Sequence, residues 1–272
     1  MPPAGFVMQR IASQLERNWR RFQTGLSFVF FGGVVLGLGF VAIPASRRFT
    51  RDREPDDLSA QRWIHRGARL FVAFMRGIGL VRLDRVGVDR LRAGGPLLVV
   101  ANHPTIFDLP VLLSLMPQAD CIVGAAWAEN VFLRRVVAAA GYARNDDGGS
   151  VIRACLRRLG SGRSVVIFPE GTRSPAGGLG AFYAGAAFVA LRSGRDLVPV
   201  LLSCEPPTLS KGRSWYDAPA GQLHVRVCVG QPVSPQPLRY RGVVLAQAAR
   251  RLTAELREVF LKGLEIVEVG SA

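Results

Sequence analysis

The chain has 272 residues, 49% of them hydrophobic, and carries 35 basic against 20 acidic residues for a formal net charge of +15. That apolar content excludes a disordered protein and suffices for one α/β domain with an attached segment. The excess charge is nearly all arginine, since only Lys211 and Lys262 are lysine; it points to nucleic acid or a phospholipid surface unless it reflects an arginine-rich composition alone.

From Phe22 to Ser46 there are 25 residues without a charge, where about 20 apolar residues cross a bilayer. Arg17, Arg20 and Arg21 precede the stretch and Arg47, Arg48, Arg51 and Arg53 follow it, so the flanking charges set no orientation. Small residues at Ala42-Ile43-Pro44-Ala45-Ser46 leave a cleaved signal peptide as an alternative, but the apolar region is longer than a signal core. Glycines 32, 33, 37 and 39 permit close helix packing or a re-entrant path. The expectation is a helical membrane anchor and linker over residues 1–58, ending in the acidic Arg53-Glu54-Pro55-Asp56-Asp57, and a main domain over 59–272.

That domain opens on a helical stretch from Ser59 to Val81, with Ile64, Phe71, Phe74, Ile78 and Val81 on one face and Arg62, Arg66, Arg69 and Arg76 on the other. A basic amphipathic helix beside an anchor lies in the headgroup layer or packs its apolar face on the core. The remainder alternates as βα units. Leu97–Ala101 is a continuous apolar run, as in a buried parallel strand. A helix over 105–115, a strand at Cys121–Gly124 and a helix over 129–140 follow. Ser150 is the expected N-cap of a helix over 151–159 stopped by Gly160. Strands at 164–168, 197–203 and 223–229 and helices over 184–191 and 243–261 complete the pattern. The final helix presents Leu245, Leu252, Leu256 and Val259. The fold class is α/β: a mixed, largely parallel sheet flanked by helices, with an N-terminal helical membrane anchor.

Two motifs stand just past strand ends, where open α/β sheets bind ligands. They are Asn102-His103-Pro104-Thr105-Ile106-Phe107-Asp108 and Phe168-Pro169-Glu170-Gly171-Thr172-Arg173-Ser174. Of the three histidines, His103 alone has a carboxylate five residues on. A turn entering a helix can bring Asp108 under the imidazole, fixing its tautomer and leaving the other nitrogen basic, able to take a proton from a substrate hydroxyl. His65 and His224 read as structural or surface groups. The second motif puts a carboxylate, a glycine and an arginine in one loop suited to an anionic substrate, or to a local ion pair of Glu170 with Arg173. Phe168 and Pro169 read as structural. No Gly-x-Ser-x-Gly elbow, zinc spacing or P-loop occurs, and Cys121, Cys155, Cys204 and Cys228 read as core thiols. Gly148-Gly149 reads as a turn. A base without an enzyme nucleophile suggests direct attack of a substrate oxygen on an activated carbonyl.

The residues resemble the membrane-associated glycerolipid acyltransferases of the 1-acylglycerol-3-phosphate acyltransferase type, on the complete Asn-His-x4-Asp and Phe-Pro-Glu-Gly-Thr-Arg-Ser motifs and the Val198-Pro199-Val200 strand. The resemblance covers about Leu97 to Ser203. It implies that His103 is the general base and Asp108 its orienting partner in attack of an acceptor hydroxyl on an acyl thioester. It also implies that Asn102, Glu170, Gly171, Thr172 and Arg173 bind substrate, with Arg173 on the acceptor's phosphate. The family usually has, between these motifs, a glycine and a short run ending Asp-Arg whose arginine helps bind phosphate. Here the run Gly141-Tyr142-Ala143-Arg144-Asn145-Asp146-Asp147 has an aspartate in that place, with Arg144 as an offset phosphate contact. A lysine often found early in the region is absent from Ala125-Ala126-Trp127-Ala128-Glu129.

The expectation is an acyltransferase that moves a fatty acyl chain from acyl-CoA or acyl-carrier protein to a lysophospholipid, foremost 1-acylglycerol-3-phosphate. It needs no cofactor and no metal, and works on an anionic membrane surface at the cytoplasmic face of the inner membrane. Alternatives are an O-acyltransferase for lyso-ornithine or another specialised lysolipid, and a non-catalytic membrane-bound lipid-binding protein. Nucleic acid is disfavoured, because aromatics are 8% and do not interleave with the basic residues as stacking platforms do.

Overall fold

The computed structural model describes residues 4–50, 56–92, 94–145, 147–175, 178–210, 212, 214, 216–217, 221–239 and 244–269. The strands are β1 (Val81–Val86), β2 (Leu98–Ala101), β3 (Asp120–Val123), β4 (Ala143–Arg144), β5 (Val165–Ile167), β6 (Leu197–Glu205) and β7 (Leu223–Val229). They form one sheet in the order β1-β7-β6-β2-β5-β3-β4. Every neighbouring pair is parallel except β6 with β7, giving the mixed, largely parallel sheet expected. On central β2, Leu98 and Val100 enter one hydrophobic cluster and Val99 and Ala101 the other. Burial on both faces is why this run shows no polar alternation. Val100 pairs with Ile167 of β5 and with Pro199 of β6, so β2 and β5 end level and deliver the two motifs side by side.

The helices are α1 (Ala4–Gly37), α2 (Ile43–Thr50), α3 (Asp56–Gly77), α4 (Asp108–Leu115), α5 (Ala125–Glu129), α6 (Arg134–Ala139), α7 (Gly148–Gly160), α8 (Gly185–Ser193), α9 (Gln236–Arg239) and α10 (Leu245–Val269). A π-helical turn, Leu38–Ala42, joins α1 to α2. Helices α3 and α4 cover one face of the sheet, and α7, α8 and α10 cover the other. Of the helix expected over 129–140 only α6 is helical; α5 ends at Glu129, and Asn130 Oδ1 accepts the Phe132 and Leu133 amides in the intervening turn. Asp147, not Ser150, caps α7, accepting from the Gly149 and Ser150 amides, so Gly148-Gly149 is a first helical turn. In α10 the buried face is Ala248, Ala249, Leu252, Leu256 and Phe260, while Leu245 is exposed.

Helix α3 stops at Gly77, four residues short of the expected Val81, because Gly79 turns the chain at φ +72 and sends Val81 into β1. Its apolar face, Ile64, Phe71 and Met75, is buried in the core, and Arg66, Arg69 and Arg76 are exposed. It therefore packs as a domain helix. Helix α1 lies against it. Phe30 stacks on Phe74 with centroids 3.9 Å apart, Phe31 meets Phe71 at 5.1 Å, and Phe28 meets Phe107 of the motif turn at 5.6 Å. At Gly67 a Cβ would stand 2.8 Å from Leu38 Cδ1, so glycine allows this close approach. Buried Gln23 donates to the Ile78 carbonyl, and Arg20 Nη1 donates to the Gly79 carbonyl at 2.7 Å. One face of α1 is thus bonded to the domain, while Leu15, Trp19, Phe22, Leu26, Val29 and Leu36 on the other, continued by Phe40 of the π-helical turn, are exposed.

At the starting ends of β3 and β5, Arg163 reaches Asp57 at 2.6 Å and Asp120 at 2.7 Å, and Arg158 reaches Asp57 at 2.9 Å. Burial pulls the Asp57 carboxyl up, but its hydrogen bonds to Arg163 and Arg158 outweigh this and hold it below the usual range. For Asp120 burial wins, and its carboxyl is raised despite the same two arginines.

Candidate active site

β2 ends at Ala101 and releases Asn102 and His103 into a turn that closes on Asp108, the first residue of α4. Asp108 Oδ2 accepts the His103 Nδ1–H at 2.7 Å and the Thr105 amide at 2.7 Å, and Oδ1 accepts the Thr105 hydroxyl at 2.7 Å. The Asp108 side chain is 3% exposed and that of His103 19%. A buried carboxylate with three donors cannot turn away. It requires the proton on Nδ1 and puts the lone pair on Nε2, which has no partner among the described residues. The imidazole also stacks on Phe168, centroids 4.4 Å apart at 26°, so ring plane and tautomer are both fixed.

The loop after β5 is tied to this turn from the other side. Glu170 is buried; Oε1 accepts the His103 amide at 3.1 Å and the Ser174 hydroxyl at 2.7 Å, and Oε2 accepts the Gly180 amide at 2.8 Å. The Ser174 amide donates to the His103 carbonyl at 2.7 Å. Glu170 makes no ion pair with Arg173. Gly171 has φ +64, a left-handed turn that only glycine adopts without strain, and it and Thr172 are exposed. A Cβ there would come within 3.2 Å of the Tyr183 ring. Arg173 Nη1 donates to the carbonyls of Leu209 at 2.7 Å and Ser210 at 3.3 Å, leaving Nε and Nη2 without a partner among the described residues.

Among the expected substrate contacts, Asn102 and Glu170 point into the framework. Asn102 is buried, its Nδ2 donating to the Leu202 carbonyl and its Oδ1 accepting the Leu202 amide, both at 2.8 Å. It pins the end of β2 to β6. Gly171 and Thr172 are exposed and Arg173 is half-buried, in the loop between Glu170 and Ser174, the two residues that bond to His103.

An acyltransferase family model matches residues 82–203, from β1 into β6 and across both motifs. Mouse 1-acyl-sn-glycerol-3-phosphate acyltransferase alpha is 27% identical over 245 residues, covering 86% of this chain and 81% of that protein. These matches support an acyltransferase of the 1-acylglycerol-3-phosphate acyltransferase type. A chloroplastic 1-acyl-sn-glycerol-3-phosphate acyltransferase from Arabidopsis thaliana is 30% identical over 188 residues, covering 64% of this chain and 49% of the relative. The crystal structure of PlsC, the 1-acyl-sn-glycerophosphate acyltransferase from Thermotoga maritima, shares the fold with a TM-score of 0.65 at 21% identity, covering 95% of this chain and 97% of that one.

Elsewhere in this acyltransferase, Arg144 lies on edge strand β4 and pairs with Glu129 at 3.0 Å, both exposed. Asp147, where the family's arginine would be, is the α7 cap; Asp146 lies outside the described residues. His65 Nδ1–H donates to the Leu113 carbonyl at 2.7 Å, joining α3 to α4, and His224 meets Asp84 at 2.6 Å across β7 and β1. Burial raises Cys204 to about 12, with the Asp108 and Glu205 charges adding to it, and raises Cys155 to about 11. Among the described residues no group of three His, Cys, Asp or Glu is placed to hold a metal. Phe168, read from the sequence as structural, stacks on the His103 imidazole; Thr105 and Tyr183 were not singled out by sequence. For Thr105 the signal was present, since a threonine three residues before an aspartate at a helix start is a capping pattern.

Proposed function

We propose that the enzyme transfers a fatty acyl group from an acyl thioester, acyl-CoA or acyl-carrier protein, to the free hydroxyl of 1-acylglycerol-3-phosphate, giving phosphatidate. The observation that carries this reading is the His103 imidazole, fixed through Nδ1 on Asp108 with Nε2 open. Nε2 takes the proton of the acceptor hydroxyl as its oxygen attacks the thioester carbonyl. The resulting imidazolium is stabilised by Asp108. Collapse of the tetrahedral intermediate breaks the carbon–sulfur bond, and the departing thiolate regains the proton from Nε2. A thioester is already activated, so no enzyme nucleophile is required. Arg173, oriented by the Leu209 and Ser210 carbonyls, offers Nε and Nη2 to the acceptor's phosphate, with Gly171 and Thr172 beside it.

The same reading extends to the membrane. Residues 1–58 serve as the anchor, and their long apolar helix, Met8–Arg48, passes the length and composition test for crossing a bilayer. The face of α1 bonded through Gln23 and Arg20 to the Ile78 and Gly79 carbonyls of the turn after α3 favours a helix lying in the interface with its exposed apolar stripe in lipid. A lysolipid then reaches His103 without leaving the bilayer. The cytoplasmic face of the inner membrane is the side on which both donors are made.

Because Arg144 is paired with Glu129 and Asp147 caps a helix, a lyso-ornithine acceptor is the second reading. The experiment is acyl transfer by detergent-purified enzyme and its His103→Ala variant, offered acyl-CoA and acyl-carrier protein with lysophosphatidate and lyso-ornithine lipid as competing acceptors. Transfer to lysophosphatidate that disappears in the variant is the expected result. Transfer only to the ornithine lipid would replace the substrate, and undiminished activity in His103→Ala would sink the mechanism.

A further inference from the structure

The turn between α5 and α6 exposes Val131 at 68% and Phe132 at 57%, with Trp127 at 41% on the preceding helix. Neighbouring bulky apolar side chains in water are costly unless something covers them. The turn follows β3, which runs parallel to β5 and through it to β2, so it stands at the same end of the sheet as His103. It also abuts the anchor. The Arg135 guanidinium lies 4.4 Å over the ring of Phe40, itself 56% exposed, in the π-helical turn that continues the α1 apolar stripe. Between α2 and α6 a cleft of about 330 Å³ is walled by Pro44, Ala138 and Ala139 and bordered by Arg47 and Arg135. Exposed Arg134 stands next to it. Apolar side chains flanked by arginines match the acyl and phosphate layers of an anionic phospholipid surface, with room for one headgroup between the arginines.

We infer that the α5–α6 turn is a second membrane-contact element, inserting Val131 and Phe132 beside the α1 stripe while Arg134, Arg135 and Arg47 meet lipid phosphates. Two contacts at an angle fix the tilt of the domain, which a single helix lying in the interface leaves free to roll. The inference rests on the proposal that α1 lies in the bilayer interface, and the test separates the two.

Vesicles of phosphatidylglycerol and phosphatidylcholine with brominated acyl chains quench tryptophan at the depth of the bromines. The signal lost in Trp19→Phe reports α1, and the signal gained in Phe132→Trp reports the turn. Quenching of both is expected, together with a vesicle partition constant about tenfold lower for Phe132→Asp, from the lost burial of one aromatic side chain. Turnover of micellar substrate should be unchanged in that variant, since Phe132 touches no residue of the site. Quenching at Trp19 alone, with unaltered partition of Phe132→Asp, would overturn the second contact and leave the α1 reading standing. Quenching at neither would remove both. Conversion of a self-associated form to monomer by Phe132→Asp, with lipid binding unaltered, would assign the patch to a second copy of the chain and likewise overturn the proposal.

Discussion

The backbone N–H of His103 donates to Oε1 of Glu170 at 3.1 Å across a separation of 67 residues, while the Ser174 amide donates back to the His103 carbonyl at 2.7 Å. The second motif therefore sets where the imidazole stands as well as what lies beside it. Glu170→Ala would take the acceptor from the buried Ser174 hydroxyl and from the part-buried Gly180 amide, and leave the His103 amide only its longer bond to Ser174 Oγ at 3.3 Å, an unmade buried bond costing about 1–3 kcal/mol. The expected outcome is a lower denaturation midpoint together with a reduced kcat. Glu170→Gln retains one acceptor but turns an NH2 toward one of the donors, and should fall between. A Glu170→Ala enzyme of unaltered midpoint, with only KM raised, would show that the carboxylate contacts substrate instead.

In the proposed mechanism Asp108 acts only through His103, which it meets at Nδ1. Asp108→Asn would present a donor to the His103 Nδ1 side, favour the wrong tautomer and lower kcat by about 10²–10⁴-fold, by analogy with other orienting carboxylates. Thr105→Val removes one hydrogen bond to Oδ1 while keeping the amide bond to Oδ2, so its effect on kcat should be about tenfold, the worth of one charge-assisted bond. KM values should change little in either case. Steady-state kinetics on both substrates make the measurement.

The strands that carry the site were legible because burial on both faces leaves an unmistakable apolar run at Leu97–Ala101 and Val165–Phe168, and because a motif directly past such a run must lie at the strand's end. The His103–Asp108 contact was legible in its spacing at a helix start. Edge strands β1 and β4 were not. The first alternates with Arg82, Asp84 and Arg85, and the second has two residues, too few for any period. The direction of Glu170 and Asn102 was also hidden. Sequence reports a polar side chain in a loop, but whether it faces the substrate or the framework depends on amides brought from Gly180 and Leu202. Phe168 stacks on His103 only because β2 and β5 end level, a matter of register that a single strand does not reveal.

Arg173 has one nitrogen held by carbonyls and the rest of its fork without a partner among the described residues, the arrangement for a bidentate anion contact. Arg173→Lys keeps the charge but loses the fork. The KM for a phosphate-bearing acceptor should rise about tenfold or more, the equivalent of roughly 1.4 kcal/mol, and the KM for the thioester should change less. Equal KM shifts for both substrates would place Arg173 in the common framework.

Cys204 lies beside the site on β6, and its thiol is pushed up to about 12 by burial and by the charges of Asp108 and Glu205. Cys155 is raised to about 11 by burial, with the Asp120 charge adding to it. Both are protonated at pH 8, and the thiolate is the reactive form. Iodoacetamide at pH 8 should leave activity intact over times that modify an unperturbed thiol, and peptide mass mapping should find both residues unlabelled. Rapid inactivation with label on Cys204 would contradict the burial that raises it.

The arginine cluster at the starting ends of the strands gives a pH test far from the chemistry. Asp120 has a folded-state carboxyl raised by burial in spite of Arg163 and Arg158, so its ionised form is disfavoured by folding and its contribution to stability falls as pH rises through the folded value. Removing Arg163, which holds Asp120 at 2.7 Å and Asp57 at 2.6 Å, would raise the folded Asp120 value further and widen that unfavourable window upward. Asp57 works in the opposite sense: its lowered carboxyl stabilises above the unfolded value, and loss of Arg163 shrinks that contribution. Both changes are felt at neutral pH; acidification relieves the Asp120 part first, as its raised carboxyl takes a proton, and the Asp57 part only below the unfolded value. Arg163→Met should therefore cost about 3–5 kcal/mol at pH 7–8, the scale for breaking a buried pair, and measurably less near pH 4–5, when urea midpoints are compared with wild type at each pH. The kcat of the folded fraction should be unchanged, because this cluster lies at the opposite end of the strands from His103. A penalty independent of pH would mean that the loss is one of packing and not of charge.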